Sequence, residues 1–111
     1  MAKVAIPIEK DCLSTHFGVC NHYAIFTIHK SIVVDVALVT PNFSEIEKFP
    51  AWLKTLDVTD VVTYKINPTI IPAFIKSKIN VFVGTNQIAP ELLIQDYING
   101  KLKSNEEILN S

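Results

Sequence analysis

Short apolar runs rich in β-branched residues alternate with stretches of helical periodicity. This alternation most narrows the folds open to the chain. Three strand-like runs come first: Lys3 to Ile8, His22 to Ile28 and Ile32 to Val39. The second is apolar at nearly every position, as in a strand covered on both faces. Only the polar break His29-Lys30-Ser31 separates it from the third. These two strands should therefore form an antiparallel hairpin. Two more strands follow, Val58 to Thr63 and Ile79 to Val83, each trailed by a helical pattern.

The helix starts carry local signals. Ser44-Glu45-Ile46-Glu47 has capping-box spacing, and Ile46, Phe49, Leu53 and Leu56 recur at helical intervals behind it. Pro50 interrupts that pattern, either as a kink or as the true first turn. Asn67-Pro68 reads as a cap followed by proline at the first helical position. Ile70, Ile71, Phe74 and Ile75 form the apolar face behind it. Pro90 opens a third helix with the face Leu93, Ile94, Tyr97 and Ile98, and Gly100 is placed as its C-terminal cap. The order is β-β-β-α-β-α-β-α, with parallel pairing and right-handed crossovers in the second half. Val4, Ile6, Ile25, Val61, Val62, Phe74, Val81 and Val83 are the expected core.

At 111 residues and 49% hydrophobic, the chain fits one domain, residues 1–111. Lys101 to Ser111 reads as a polar tail that frays. Ten basic and eleven acidic residues leave no electrostatic footprint for nucleic acid or an anionic membrane. No apolar run approaches the ~20 residues that span a bilayer. The start MAKVAIPIEK reads as a strand, not a signal peptide. Two cysteines then suggest free thiols in a reducing cytoplasm.

Reactive chemistry concentrates in DCLSTHFGVCNHY, the loop between the first two strands and the first residues beyond it. It holds Cys12, His16, Cys20 and His22. Thiolate and imidazole bind soft and borderline metals. The spacing lacks a CxxC pair, so it is no zinc-knuckle signature. A folded loop could still bring His16, Cys12 and Cys20 within ligand distance. The plain alternative has Cys20 packed at the base of the second strand and His22 turned into the core. Gly18 permits a left-handed backbone or close approach to a ligand, and Phe17 reads as a plug for the sheet end.

The carboxyl ends of the first, fourth and fifth strands should lie side by side, where open α/β sheets bind ligands. That edge carries His16, Lys65 and Thr85, with two helix N-termini expected to attract anions. An anionic metal cluster or a phosphate would suit it. Two-metal hydrolysis needs converging carboxylates. Asp35 and Asp60 stand apart on different strands, so a nuclease is set aside. Neither a Walker-type glycine loop nor a GxSxG elbow occurs.

With VAIPIE, the HFG loop, YAIFTI, LDVTDVVTYKINPTIIPAFIKSKINVFVG and Ile98-Asn99-Gly100-Lys101-Leu102 in place, residues 3–102 resemble the dinitrogenase iron-molybdenum cofactor biosynthesis family. The resemblance implies a ribonuclease H-like motif: a five-stranded mixed sheet in order 3-2-1-4-5, strand two antiparallel, with helices on both faces. It implies a small non-catalytic carrier of iron-molybdenum cofactor or an iron–sulfur precursor, with a metallocluster donor or acceptor as partner. His16 draws weight from lying in HFG. The chain departs from the family pattern where PNFSEIEKFPAWLKTL lacks glycine and where Tyr64-Lys65 replaces one. Two alternatives stay open: a metal-free scaffold or interaction module, and a thiol-active redox protein using Cys12 or Cys20. An oligomer is compatible with each.

Overall fold

A computed structural model describes residues 1–18 and 22–110. The strands are β1 (Ala2–Glu9), β2 (Cys12–Leu13), β3 (His22–His29), β4 (Ile32–Val39), β5 (Asp60–Val62) and β6 (Asn80–Phe82). The α-helices are α1 (Phe49–Thr55), α2 (Ile71–Lys76) and α3 (Pro90–Ile98). Among the described residues they build one mixed α/β sheet of six strands in the order β4-β3-β1-β5-β6, with β2 paired to β1 alone. β3 runs antiparallel to both its neighbours, whereas β1, β5 and β6 are parallel.

The expected sheet had five strands, and the sixth is β2. After Glu9 the chain turns through Lys10 and Asp11 (φ 52° and 65°) and runs back along β1 for two residues. Two left-handed residues in succession make the hairpin turn whose twist matches paired strands. The β3–β4 hairpin uses the same device at Lys30 and Ser31.

Strand pleating sends alternate side chains to two cores. Ala5, Ile25 and Val61 meet Phe49 and Leu53 of α1 and Phe74 of α2 on one face. Val4, Ile6, Phe26 and Val62 meet Leu93 and Ile94 of α3 on the other. Val81 is only half-buried, against expectation, because β6 is an edge strand. Ile75 is exposed on the outer side of α2. The other edge, β4, leaves Ile32, Val34, Val36 and Leu38 exposed.

The caps divide. Asn67 accepts from the Thr69 N–H at 3.0 Å, and Pro68 opens a 3-10 turn that leads into α2. Gly100 adopts φ +70°, with Lys101 N–H donating to the Asp96 carbonyl and Gly100 N–H to that of Tyr97. That pair of bonds is a Schellman ending for α3. Ser44 caps nothing: Glu45 stands before a 3-10 turn, and α1 begins at Phe49-Pro50. Pro50 thus sits in the true first turn, where its missing N–H costs nothing.

Over its described residues the C-terminal segment packs back on the domain. Asn105 N–H donates to the Val83 carbonyl at 2.7 Å, and Glu106–Asn110 forms a 3-10 turn whose Ile108 and Leu109 pack on the first core. Among the described residues, no helix is long and apolar enough to cross a membrane.

Candidate functional site

β1 ends, and β2 returns along it, at the sheet edge where β5 and β6 also finish. Beyond β2 the Ser14 N–H donates to the Pro7 carbonyl at 2.8 Å, and the chain then runs beside Lys65. Lys65 N–H donates to the Thr15 carbonyl at 3.1 Å, and Phe17 N–H to the Lys65 carbonyl at 2.8 Å. His16 and Lys65 are thereby locked into a parallel bridge, although neither belongs to a strand.

The anchor of this loop is Phe17, 2% exposed. Its ring meets Tyr23, Phe49 and Phe74 edge-on, with centroids 5.5, 5.1 and 5.7 Å away. Edge-to-face contact suits the aromatic quadrupole. With Phe17 held inward, the exposed His16 imidazole stands outside the core. Gln87 Nε2 donates to Thr15 Oγ1 at 2.9 Å, tying in the loop after β6.

His16 and Lys65 line a cavity of about 320 Å³ with Phe17, Ile66, Asn67 and Leu109 among its walls. Among the described residues its polar lining is one imidazole, one ammonium and one carboxamide; no carboxylate faces it. The Asn67 carboxamide oxygen already accepts from Thr69 N–H and Thr69 Oγ1, so the amide's contribution to the cavity is its NH₂ donors.

The other expected site residues lie elsewhere. Thr85 is buried, its hydroxyl donates to the Thr63 carbonyl at 3.0 Å, and it borders a separate hollow with Lys101 and Lys103. Gly18 does not line the cavity but shapes it: at φ +92°, a Cβ there would stand 3.3 Å from Ile46 Cδ1, and Ile46 is a wall residue. Gly18 N–H also donates to the Tyr23 hydroxyl at 3.0 Å. Gly18→Ala is therefore expected to cost about 1–2 kcal/mol, chiefly as left-handed strain. Urea unfolding measures it, and an unchanged midpoint would contradict the strained backbone.

Cys12 is a half-exposed free thiol on β2, opposite Glu9, and does not line the cavity. Cys20 lies outside the described residues. Among the described residues no three of His, Cys, Asp and Glu gather as a metal site. His22 is exposed rather than turned inward, with Nδ1 3.1 Å from Thr40 Oγ1. Of the two helix N-termini expected at that edge, the Asn67-Pro68 start of the 3-10 turn before α2 lines the cavity, whereas Pro90 of α3 borders a different groove, near β4. Sequence reasoning put Asn67 on this edge only as a helix cap, and it missed Ile108 and Leu109 as wall residues. The apolar Ile-Leu pair inside a polar tail was the available signal.

PH0822, known from a crystal structure, is 30% identical to this chain, with a TM-score of 0.85 over 98% of this chain and 99% of its own. The MJ0327 protein of Methanocaldococcus jannaschii, provisionally named a dinitrogenase, is 22% identical, with a TM-score of 0.74 over 93% of each chain. The apo form of the orange protein from Desulfovibrio gigas is 13% identical, with a TM-score of 0.74 over 95% of this chain and 93% of its own. The last two likenesses are of fold alone. Neither a protein-family model nor a curated protein matches the chain.

Proposed function

The chain belongs to the same family as PH0822, and we propose that it is a small non-catalytic carrier that holds an anionic ligand at the His16–Lys65 cavity. The observation that carries this reading is the bridged His16–Lys65 pair on a cavity that, among the described residues, no carboxylate lines. A resident metal centre does not fit the described donors, since one imidazole is too few ligands for a closed site. A metallocluster carried as cargo fits better. A single neutral imidazole can ligate iron, Lys65 offsets the negative charge, and so sparse a grip permits release.

Fold neighbours named as a dinitrogenase and, in Thermotoga, as a NifB protein support the iron-molybdenum cofactor resemblance in its general form. The sheet order supports the ribonuclease H-like motif. On this reading the chain is one domain, acts in the reducing cytoplasm, and gives its cargo to an acceptor protein.

Tetrathiomolybdate, an anionic metal–sulfur compound, tests the site under anaerobic titration. His16→Ala and Lys65→Ala should each weaken binding at least tenfold, the loss expected for a charged contact of about 1.5–3 kcal/mol. His29→Ala, at the far end of β3, should leave it unchanged. Equal affinity in all three variants would remove the site.

β4 favours a second reading. Its eight residues form an open edge with four exposed apolar side chains, the kind of strand that pairs with another chain. A metal-free interaction module would use that edge. Metal-free protein that forms a stable oligomer, lost on Val36→Lys, would support this second reading over the first.

A further inference from the structure

The segment after α3 leaves its helix through Gly100 and then lies across the end of β6. The Val83 N–H donates to Ser104 Oγ at 3.1 Å, and the Asn105 N–H donates to the Val83 carbonyl. Asn105 Oδ1 accepts from the Glu107 N–H at 3.2 Å and starts the last turn. The segment docks against Gly84, which has φ +66°. A Cβ at that position would stand 2.4 Å from the Asn105 carbonyl oxygen and 2.9 Å from its Cβ. The obstacle is backbone, so no side-chain rotation relieves it. Residue 84 must lack a side chain for the segment to lie there.

The end of the segment reaches the candidate site. Ile108 and Leu109, both half-buried, line the cavity that holds His16 and Lys65. Leu109 also borders a neighbouring hollow of about 160 Å³ between α2 and β6. Covering an open strand edge is a sufficient reason for a chain to lie along β6. It does not account for two aliphatic side chains forming a wall opposite an imidazole and an ammonium. Residues 103–107 are exposed, and a stretch with its backbone in solvent belongs with segments that open locally.

We propose that residues 104–110 form a movable wall of the ligand cavity, docked on Gly84, and that the ligand is an anion with an apolar flank. The proposal rests on the cavity being the binding site. The charged pole of the ligand meets His16 and Lys65. Its apolar side lies on Ile108 and Leu109, and the strap lifts to admit or release it.

The probe is 1-anilinonaphthalene-8-sulfonate, a sulfonate with an aromatic body, followed by fluorescence on the full chain. Lys65→Ala and Leu109→Ala should each weaken it at least fivefold. Gly84→Ala should speed its release severalfold. Hydrogen exchange at the Asn105 and Ile108 amides should also rise at least tenfold in that variant, with the β3 amides keeping their wild-type rates. If Lys65→Ala weakens the dye while Leu109→Ala and Gly84→Ala behave as wild type, the strap is refuted and the cavity stands. If Lys65→Ala and His16→Ala both leave dye binding unchanged, the cavity reading fails and the strap proposal with it. Should Gly84→Ala not fold, Leu109→Ala still decides, since it touches only a half-buried wall.

Discussion

Phe17→Ala is expected to destabilise the protein by about 3–5 kcal/mol, the range for truncating a buried aromatic side chain. The ring is almost wholly enclosed and meets Tyr23, Phe49 and Phe74 within 6 Å between centroids. The cavity left behind would be walled by rings on three sides. Those rings are held by α1, α2 and β3, so little collapse can refill it. The same substitution should disturb the site, because the N–H of residue 17 donates to Lys65 and closes the His16 bridge. Phe17→Leu separates the two effects: it keeps most of the volume, so it should cost far less stability and preserve the bridge. Urea unfolding measures the first effect, and the tetrathiomolybdate titration the second. A Phe17→Ala loss below about 1 kcal/mol would mean the loop is not anchored as described.

Phe17 also illustrates what could be read from the chain. As an apolar residue just before the second strand, it reads as a plug for the sheet end, and it is one. The hairpin was legible because β-branched runs flank a short polar break; the bounds of β4, Ile32–Val39, coincide with the expected ones. Asn67-Pro68 and Pro90 marked helix starts through chemistry confined to neighbouring residues. Ser44 failed because a capping box is a local preference, and Pro50 moved the α-helix start to Phe49.

β2 was hidden because its turn uses Lys10 and Asp11 in left-handed geometry, without the Asn-Gly or Asp-Gly pair that announces such a hairpin. That unseen turn also redirects the Cys/His cluster. Among the described members of the cluster, neighbours along the chain go to different places. Cys12 is drawn back along β1, while His16 is carried over to Lys65. The partnership of His16 with Lys65 follows from the adjacency of β1 and β5, and so comes from topology. The strap was missed for a related reason: composition marks it as polar, while two aliphatic residues and one glycine twenty-one positions before Asn105 decide where it goes.

Asp60→Ala is the second large effect, expected to cost about 2–4 kcal/mol by leaving hydrogen-bond donors without their acceptor. Asp60 lies at the start of β5 and is buried; no partner for it is evident in the sequence. In the fold it accepts three bonds: from Thr59 Oγ1 at 2.7 Å, from Tyr97 Oη at 2.8 Å and from Asn80 Nδ2 at 3.1 Å. These partners belong to the β5 approach, α3 and β6, so one carboxylate ties a helix to two adjoining strands. The loss is less than three full bonds, because Thr59 Oγ1 also reaches the Lys3 carbonyl and the exposed Asn80 can turn to water.

Tyr97 supplies an independent check through pH. Burial first, and then the hydrogen bond and negative charge of Asp60, push its hydroxyl up to about 12. An unfolded tyrosine loses its proton near ~10. Between these values the unfolded chain releases a proton that the folded chain keeps, so stability falls as pH rises through that window. Below pH ~10 the contribution is fully present. Tyr97→Phe should lower stability by about 1–2 kcal/mol at neutral pH, from the lost bond to Asp60. It should also remove this part of the alkaline decline. Urea midpoints at pH 8, 10 and 11.5 for the wild type and Tyr97→Phe measure both. If the two curves stay parallel across the window, the Tyr97–Asp60 bond does not hold α3 to the sheet.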